Sequence, residues 1–356
     1  MVDFIIVGRG LAATVMAHSL HQQHLSFHLI GPHAETNSSL VAGGIWNPIV
    51  FKRLTKSWLA NDLVPELNRF YSACEKDLGQ TLLCQRSLVK PFVEEQEKVL
   101  WTKEATGELS DFLDPKIYTE TSEQFVNCKI SKAYGAVKQS GNINMAAFIN
   151  GSAEFFKSSY HNELVDHSLL TIEKDHVSYK GLKAKNILFC EGYLVKNNPY
   201  FKWIPLKPAK GEVFTIQSND LKLNNCIFNK NGFLMDLGNH RYKVGATYAW
   251  DDLTEEPTEA GASELHNKLK QLISCEYSLI KHEAGIRPSS IDRRPIIGAH
   301  PQHKNLFIFN GLGTKGVMLA PYFAKNFVNF YLEKESIHEE VNVKRFYKDY
   351  AATQSS

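Results

Sequence analysis

Residues Phe4 to His18 read FIIVGRGLAATVMAH, and this stretch constrains the fold more than any other. Phe4, Ile5, Ile6 and Val7 form the short apolar run of a buried parallel strand, and Ala12 to Leu20 carry helix-forming residues. Between them Gly8, Gly10 and Ala13 stand at GxGxxG/A spacing. The first glycine permits a tight strand-to-helix turn, the second lets a pyrophosphate approach the backbone, and the small third residue lets helix and strand pack closely. A helix amino terminus aimed at that turn favours a bound anion. Taken alone, the motif suits NAD, NADP or FAD. Ser26 to Ile30 (SFHLI) reads as the second strand, which in such units commonly ends in an Asp or Glu holding the ribose hydroxyls. Here that position is Gly31, followed by Pro32, so the ribose has to be held in another way.

The 356 residues are enough for two domains or one elaborate one, and a formal charge of +2 implies no strong nucleic-acid or membrane field. The apolar amino terminus lacks a basic n-region and carries the nucleotide turn, so it reads as mature structure and not as a leader. No apolar run is long enough to span a bilayer. The six cysteines are scattered without CxxC pairing, and the fourteen histidines show no HExxH spacing. Reduced thiols, a cytoplasmic location and no metal site are the expectation.

Further along, Asn37 to Pro48 (NSSLVAGGIWNP) combines two hydroxyls with Ala42, Gly43 and Gly44, a loop of little bulk suited to lying under a flat ligand or a phosphate. Lys56 to Leu78 has a helical pattern, Leu82 to Phe92 looks extended, and Glu94 to Leu113 looks helical and charged. Ala133 to Val137 reads as strand, Met145 to Lys157 as helix, and Glu163 to Tyr179 as a small antiparallel meander. Lys185 to Gly192 (KNILFCEG) is a second apolar strand ending in glycine. A strand-rich region from Lys207 and an amphipathic helix within Glu255 to Ile280 follow, then GIRPSSIDRRPIIG, LFIFNGLGTKG and a helix from Val317 to about Lys334. Ala351 to Ser356 look disordered. Nucleotide-type elements at the start, middle and end imply one domain built from three pieces and a second from two insertions.

The order GRGLAA, SSxxAGG, LFCEG, PLKPAKGE, KVGAT, GIRPSSIDRRPIIG and FNGLGTKGVMLAP resembles the D-amino-acid-oxidase-like FAD-dependent oxidoreductases, closest to the glycine oxidase and sarcosine oxidase branch. The resemblance covers nearly the whole chain and is weakest between about Lys76 and Tyr134. It implies an α/β chain with a Rossmann-like FAD-binding domain assembled from discontinuous segments (1–75, 141–205 and 285–356). An α+β substrate domain with a mainly antiparallel sheet would take residues 76–140 and 206–284.

On the same basis Gly8, Gly10, Leu11, Ala12 and Ala13 would hold the FAD pyrophosphate, and Ser38, Ser39, Gly43 and Gly44 match the loop passing the phosphates and the flavin ring. Val165 matches the residue whose backbone meets the adenine. Cys190, Glu191 and Gly192 occupy the family's small-small-Gly turn, and the bulk of Glu191 departs from it, offering a carboxylate to replace the acid missing at Gly31. Gly311, Gly313, Thr314, Lys315 and Gly316 match the loop whose amides face the flavin N1 and O2 edge. There an anionic reduced flavin would gain from amides, a helix dipole and the charge of Lys315, although a solvated loop lysine is the plain alternative.

Arg287, in the G-[IL]-R-P pattern, matches the arginine that pairs with a substrate carboxylate, for which guanidinium geometry is well suited. The structural alternative is a pairing with Asp292. Phe233 stands where glycine oxidases place a tyrosine, Tyr248 where family members put a side chain facing the flavin, and Trp46 is either a wall of the same pocket or a core residue.

The implied reaction is oxidative deamination or demethylation of a small amino acid or secondary amine by hydride transfer to flavin N5. The acceptor would be molecular oxygen or another partner. Sarcosine oxidases tether flavin through a cysteine in the region of Gly285 to Asp292, where this chain has none, so the FAD is expected to be non-covalent. Two alternatives stay open: a dehydrogenase passing electrons to a quinone or protein, and an oxidase acting on an amino-acid-like tRNA modification. The near-neutral charge argues against a nucleic-acid partner.

Overall fold

The computed structural model describes residues 1–33, 37–119, 125–130 and 133–354. Strand β1 (Val2–Val7), helix α1 (Leu11–His21) and strand β2 (Phe27–Ile30) form the unit expected from the motif. Strand β1 pairs in parallel with β2 on one side and with Leu182–Phe189 on the other. Tyr160–His161 extends the sheet beyond β2, and Leu306–Asn310 extends it beyond Leu182–Phe189, both in parallel. Ile296–Ala299 pairs antiparallel with Leu306–Asn310, and the hairpin of Leu170–Ile172 and Val177–Tyr179 supplies the expected antiparallel element.

A parallel sheet covered on both faces requires apolar strands, and Phe4, Ile5, Ile6, Leu188 and Phe189 are buried accordingly. Helix α1 is buried on nearly all sides, because Gly316–Tyr331 and Met145–Phe155 pack over it. Ala60–Leu78 is amphipathic in the expected sense, burying Leu63, Leu67, Phe70 and Tyr71.

The second large sheet has seven strands in the order Ser278–Arg287, Ala209–Gln217, Arg241–Gly245, Phe233–Gly238, Cys226–Asn229, Ser87–Pro91 and Tyr134–Val137. Every pairing in it is antiparallel except that of Cys226–Asn229 with Ser87–Pro91. Alternate residues face opposite ways. Phe214, Ile216, Tyr242 and Val244 pack on the helix Glu259–Leu272, and the other face, carrying Val213, Gly245 and Arg287, turns toward the nucleotide loops.

Two local expectations differ from the structure. The charged helix spans only Glu95–Ala105 and ends near Gly107; residues from there to Leu113 are turns that bury Leu109, Phe112 and Leu113. At the carboxy terminus Tyr347–Gln354 is helical. The Tyr347 hydroxyl donates to the Ala299 carbonyl and Tyr350 to Gln302, and these anchors offset the ordering entropy; Ser355 and Ser356 lie outside the described residues. All six cysteines are free, and no group of metal-ligating side chains occurs among the described residues. No helix there is long and apolar enough to cross a membrane.

Candidate FAD and substrate site

At the nucleotide end, Gly8 has φ +127, and a Cβ there would collide with the Cys190 carbonyl, so the turn closes against the adjacent strand only without a side chain. The Cys190 N–H donates to Val7 O at 2.7 Å and the Gly8 N–H to Ile30 O at 2.8 Å. The ladder of α1 begins with Thr14 N–H donating to Gly10 O. The amides of Ala12 and Ala13 therefore have no intrahelical acceptor and lie at the positive end of the dipole. Ser39 presents its Oγ to the Leu11 N–H at 2.9 Å, and the Ser38 hydroxyl donates to Ile286 O at 2.7 Å. Those two serines fasten their loop to α1 and to the antiparallel sheet at once. Gly43 touches the Phe233 ring, and Gly44, at φ +63, accepts from Ile143 N–H. Free amides beside two glycines without Cβ atoms fit a pyrophosphate.

The carboxy-terminal loop reaches the same place. The Gly313 N–H donates to Pro288 O, Asn310 Nδ2 donates to Gly192 O, and a Cβ on Gly316 would stand 2.8 Å from a Leu11 methyl. Gly311 and Gly313 have positive φ, and Thr314 is exposed. Lys315 is not a solvated loop lysine: its ammonium donates to Ser57 Oγ, and burial pulls its pKa down to about 8. It has no acid partner among the described residues, which suits a neighbour that becomes anionic.

Arg287 ends its strand with its guanidinium laid across Gly211, where any Cβ would collide with it. Nη1 donates to Lys210 O at 3.1 Å and Nη2 to Thr247 O at 3.2 Å, and the Tyr248 ring centroid lies 4.8 Å away. Burial lowers the Arg287 pKa without threatening its charge. The structural alternative fails, because Asp292 accepts from Arg345 at 2.8 Å instead. Phe233 bridges Gly43 and Gly245, joining the glycine loop to the sheet, and Tyr248 is 44% exposed beside Trp250, 53% exposed.

Three more of the residues named above take the following places. Trp46 is 1% exposed, donates its indole N–H to Gln139 O and packs on Gly141, so it belongs to the core and has no face to offer a pocket. Glu191 is already engaged, with one carboxylate oxygen 2.8 Å from His167 Nε2 and the other accepting from Asn198 at 2.6 Å, so both oxygens have partners within the protein. Val165 is buried with Val7 and Ile30 beside the parallel sheet.

Sequence reasoning missed Gly211, Ser57 and Arg9. Ser57 and Gly211 are identified only by what crosses them. Arg9 left a signal, a charged residue inside a motif whose ribose acid is absent.

The FAD dependent oxidoreductase (DAO) family model matches residues 3–329. Glycine oxidase of Bacillus subtilis (strain 168) is 26% identical over 144 residues, 39% of this chain and 38% of that protein. The tRNA 5-methylaminomethyl-2-thiouridine biosynthesis bifunctional protein MnmC of Legionella pneumophila (strain Philadelphia 1) is 27% identical over 89% of this chain and 52% of that protein. The matches thus span about half or less of these relatives' lengths. Among solved structures, glycine oxidase from Bacillus cereus ATCC 14579 superposes with a TM-score of 0.79 at 16% identity, covering 95% of this chain and 97% of that one. Iminodiacetate oxidase from Chelativorans sp. BNC1 gives 0.78 at 16%, covering 96% and 98%. The shared fold, the nucleotide turn and a match along nine-tenths of its length place this chain in the DAO family of FAD-dependent oxidoreductases.

Proposed function

We propose that the chain oxidises the C–N bond of a small amino acid or secondary amine whose carboxylate is held by Arg287. One observation carries this reading: Arg287 is a half-buried cation with no acid within ion-pair distance among the described residues, fixed in place by two carbonyls and the Tyr248 face. A planar carboxylate completes such a fork bidentately. FAD, when bound, supplies the two-electron acceptor that turns the amine into an imine, which water then hydrolyses. The protein holds the carboxylate through Arg287, shapes the pocket with Phe233 and Tyr248, and offers amides from Gly311 to Gly316 and the Lys315 charge to the cofactor edge. Gly8, Gly10, Leu11, Ala12 and Ala13, with Ser38, Ser39, Gly43 and Gly44, would hold the phosphates. Non-covalent FAD goes with this reading, because the segment Gly285 to Asp292, where sarcosine oxidases carry the tethering cysteine, has none.

The test is to purify the protein, precipitate it with acid and look for flavin in the supernatant, then mix the holoprotein anaerobically with glycine, sarcosine, iminodiacetate and other N-substituted amino acids. Bleaching that is lost in Arg287→Met supports the reading; no bleaching by any carboxylate-bearing amine defeats it. Turnover with a dye but not with oxygen would make it a dehydrogenase. A second reading, an amino-acid-like side chain on a tRNA nucleoside, is favoured by the relative matching 89% of this chain and by the exposed Tyr248–Trp250 pair on which a base can stack. Bleaching by a modified nucleoside and not by free amino acids would select it.

A further inference from the structure

Arg9, the variable residue between the first two motif glycines, is 6% exposed. Its Nη2 donates to Asn150 Oδ1 at 3.2 Å, and its guanidinium carbon lies 5.6 Å from the Tyr160 ring centroid. The Tyr160 hydroxyl donates to Gly31 O at 2.8 Å, which places all of these groups at the end of β2. Nε and Nη1 of Arg9 are shut off from solvent and have no acceptor among the described residues. A buried cation with two unmet donors is costly unless something supplies oxygen atoms to it.

The position of Arg9 says what that would be. Gly31 stands where nucleotide-binding units commonly place the ribose acid. A Cβ on Gly31 would lie 2.7 Å from the Gly8 carbonyl carbon, 2.8 Å from Arg9 Cβ and 2.9 Å from Arg9 N, so the turn packs too closely here for an acidic side chain. Both oxygens of Glu191 are already bonded within the protein, to His167 and Asn198.

We propose that Arg9 is the adenosine-side anchor of bound FAD, with Nε–H and Nη1–H donating to oxygen atoms of the adenosine ribose and the neighbouring phosphate. The charge at this subsite is then the reverse of the common one. An acid repels a phosphate on the ribose 2′-oxygen, whereas an arginine accommodates it. The adenosine subsite therefore accepts 2′-phosphorylated adenine nucleotides.

The test uses the full-length protein stripped of flavin, with calorimetric titration of 5′-AMP and adenosine 2′,5′-bisphosphate, and FAD titration of the wild type, Arg9→Lys and Arg9→Met. No amine is present, so the outcome is independent of the substrate proposed above. The wild type is expected to bind the bisphosphate at least as tightly as 5′-AMP. Arg9→Met should lose about tenfold or more in FAD affinity and reverse the preference between the two nucleotides, with partial rescue in Arg9→Lys. If the 2′-phosphate weakens wild-type binding by more than about tenfold, or if folded Arg9→Met binds FAD within about twofold of wild type, the proposal is overturned. Should Arg9→Met fail to fold, the wild-type comparison decides alone.

Discussion

The guanidinium of Arg287 occupies the space a side chain on Gly211 would fill, so the arginine crosses the neighbouring strand directly over a residue that has none. The crossing lets Nη1 and Nη2 reach the carbonyls of Lys210 and Thr247. Gly211→Ala should displace the fork without touching any residue of the nucleotide turn. The expected outcome is a KM for the amine raised by about tenfold or more, with FAD content and visible spectrum unchanged. Steady-state kinetics on the flavin-loaded variant check it, and an unchanged KM would remove Arg287 from substrate binding.

Lys315 is buried against Ser57 with a pKa near 8 before any anion is bound. On the function proposed above, its ammonium would stabilise an anionic reduced flavin below about that pH, and the stabilisation would fade as the proton is lost above it. Lys315→Met should lower the two-electron midpoint potential at pH 7 by roughly 30–60 mV, equivalent to about 1.4–2.8 kcal/mol. The difference between variant and wild type should shrink toward high pH. Spectroelectrochemical titration at pH 7 and pH 9.5 measures both.

Glu191 holds His167 and Asn198 together behind the turn that ends Leu182–Phe189. Glu191→Gln should therefore cost stability by about 1–3 kcal/mol while FAD affinity stays within about twofold. Urea denaturation and fluorescence titration of FAD separate the two effects. A loss of affinity without a loss of stability would return Glu191 to the cofactor site.

His18 is fully buried among Phe70, Phe148, Phe155 and Phe156, with Nε2 2.8 Å from Ser152 Oγ. Burial, with a smaller contribution from His21, lowers its pKa to about 3, and Asp77, 3.8 Å from Nδ1 and partly exposed, does not reverse this. The unfolded chain therefore binds a proton here between about pH 6.5 and pH 3 that the folded chain refuses. Stability from this residue is complete above pH 6.5 and falls with pH below it. The urea midpoint of the wild type should drop between pH 6.5 and 4.5, and His18→Leu should flatten that slope by roughly 1–3 kcal/mol over the interval. Parallel slopes would exclude His18 as the source.

Much of this was readable along the chain because it depends on local periodicity. The apolar run Phe4–Val7, Gly8 and Gly10, and the stripe of Leu63, Leu67, Phe70 and Tyr71 specify strand, turn and helix from neighbours within a few residues. Trp46 and Glu191 were less legible for the opposite reason. Whether an indole lines a pocket or fills a core, and whether a carboxylate is free or engaged, depends on residues about 93 and 24 positions away.

The sequence by itself determined a nucleotide turn, a parallel sheet around it and the family that follows from seven motifs in order. Tertiary structure alone decided which side chains remain without a partner. Asp292 went to Arg345, leaving Arg287 unpaired; Asn198 and His167 took Glu191; and Gly31 left no room for an acid beside Arg9. The physical reason is that pairing between charges is settled by distances of a few ångströms across segments far apart in the chain, and local pattern carries no record of those distances.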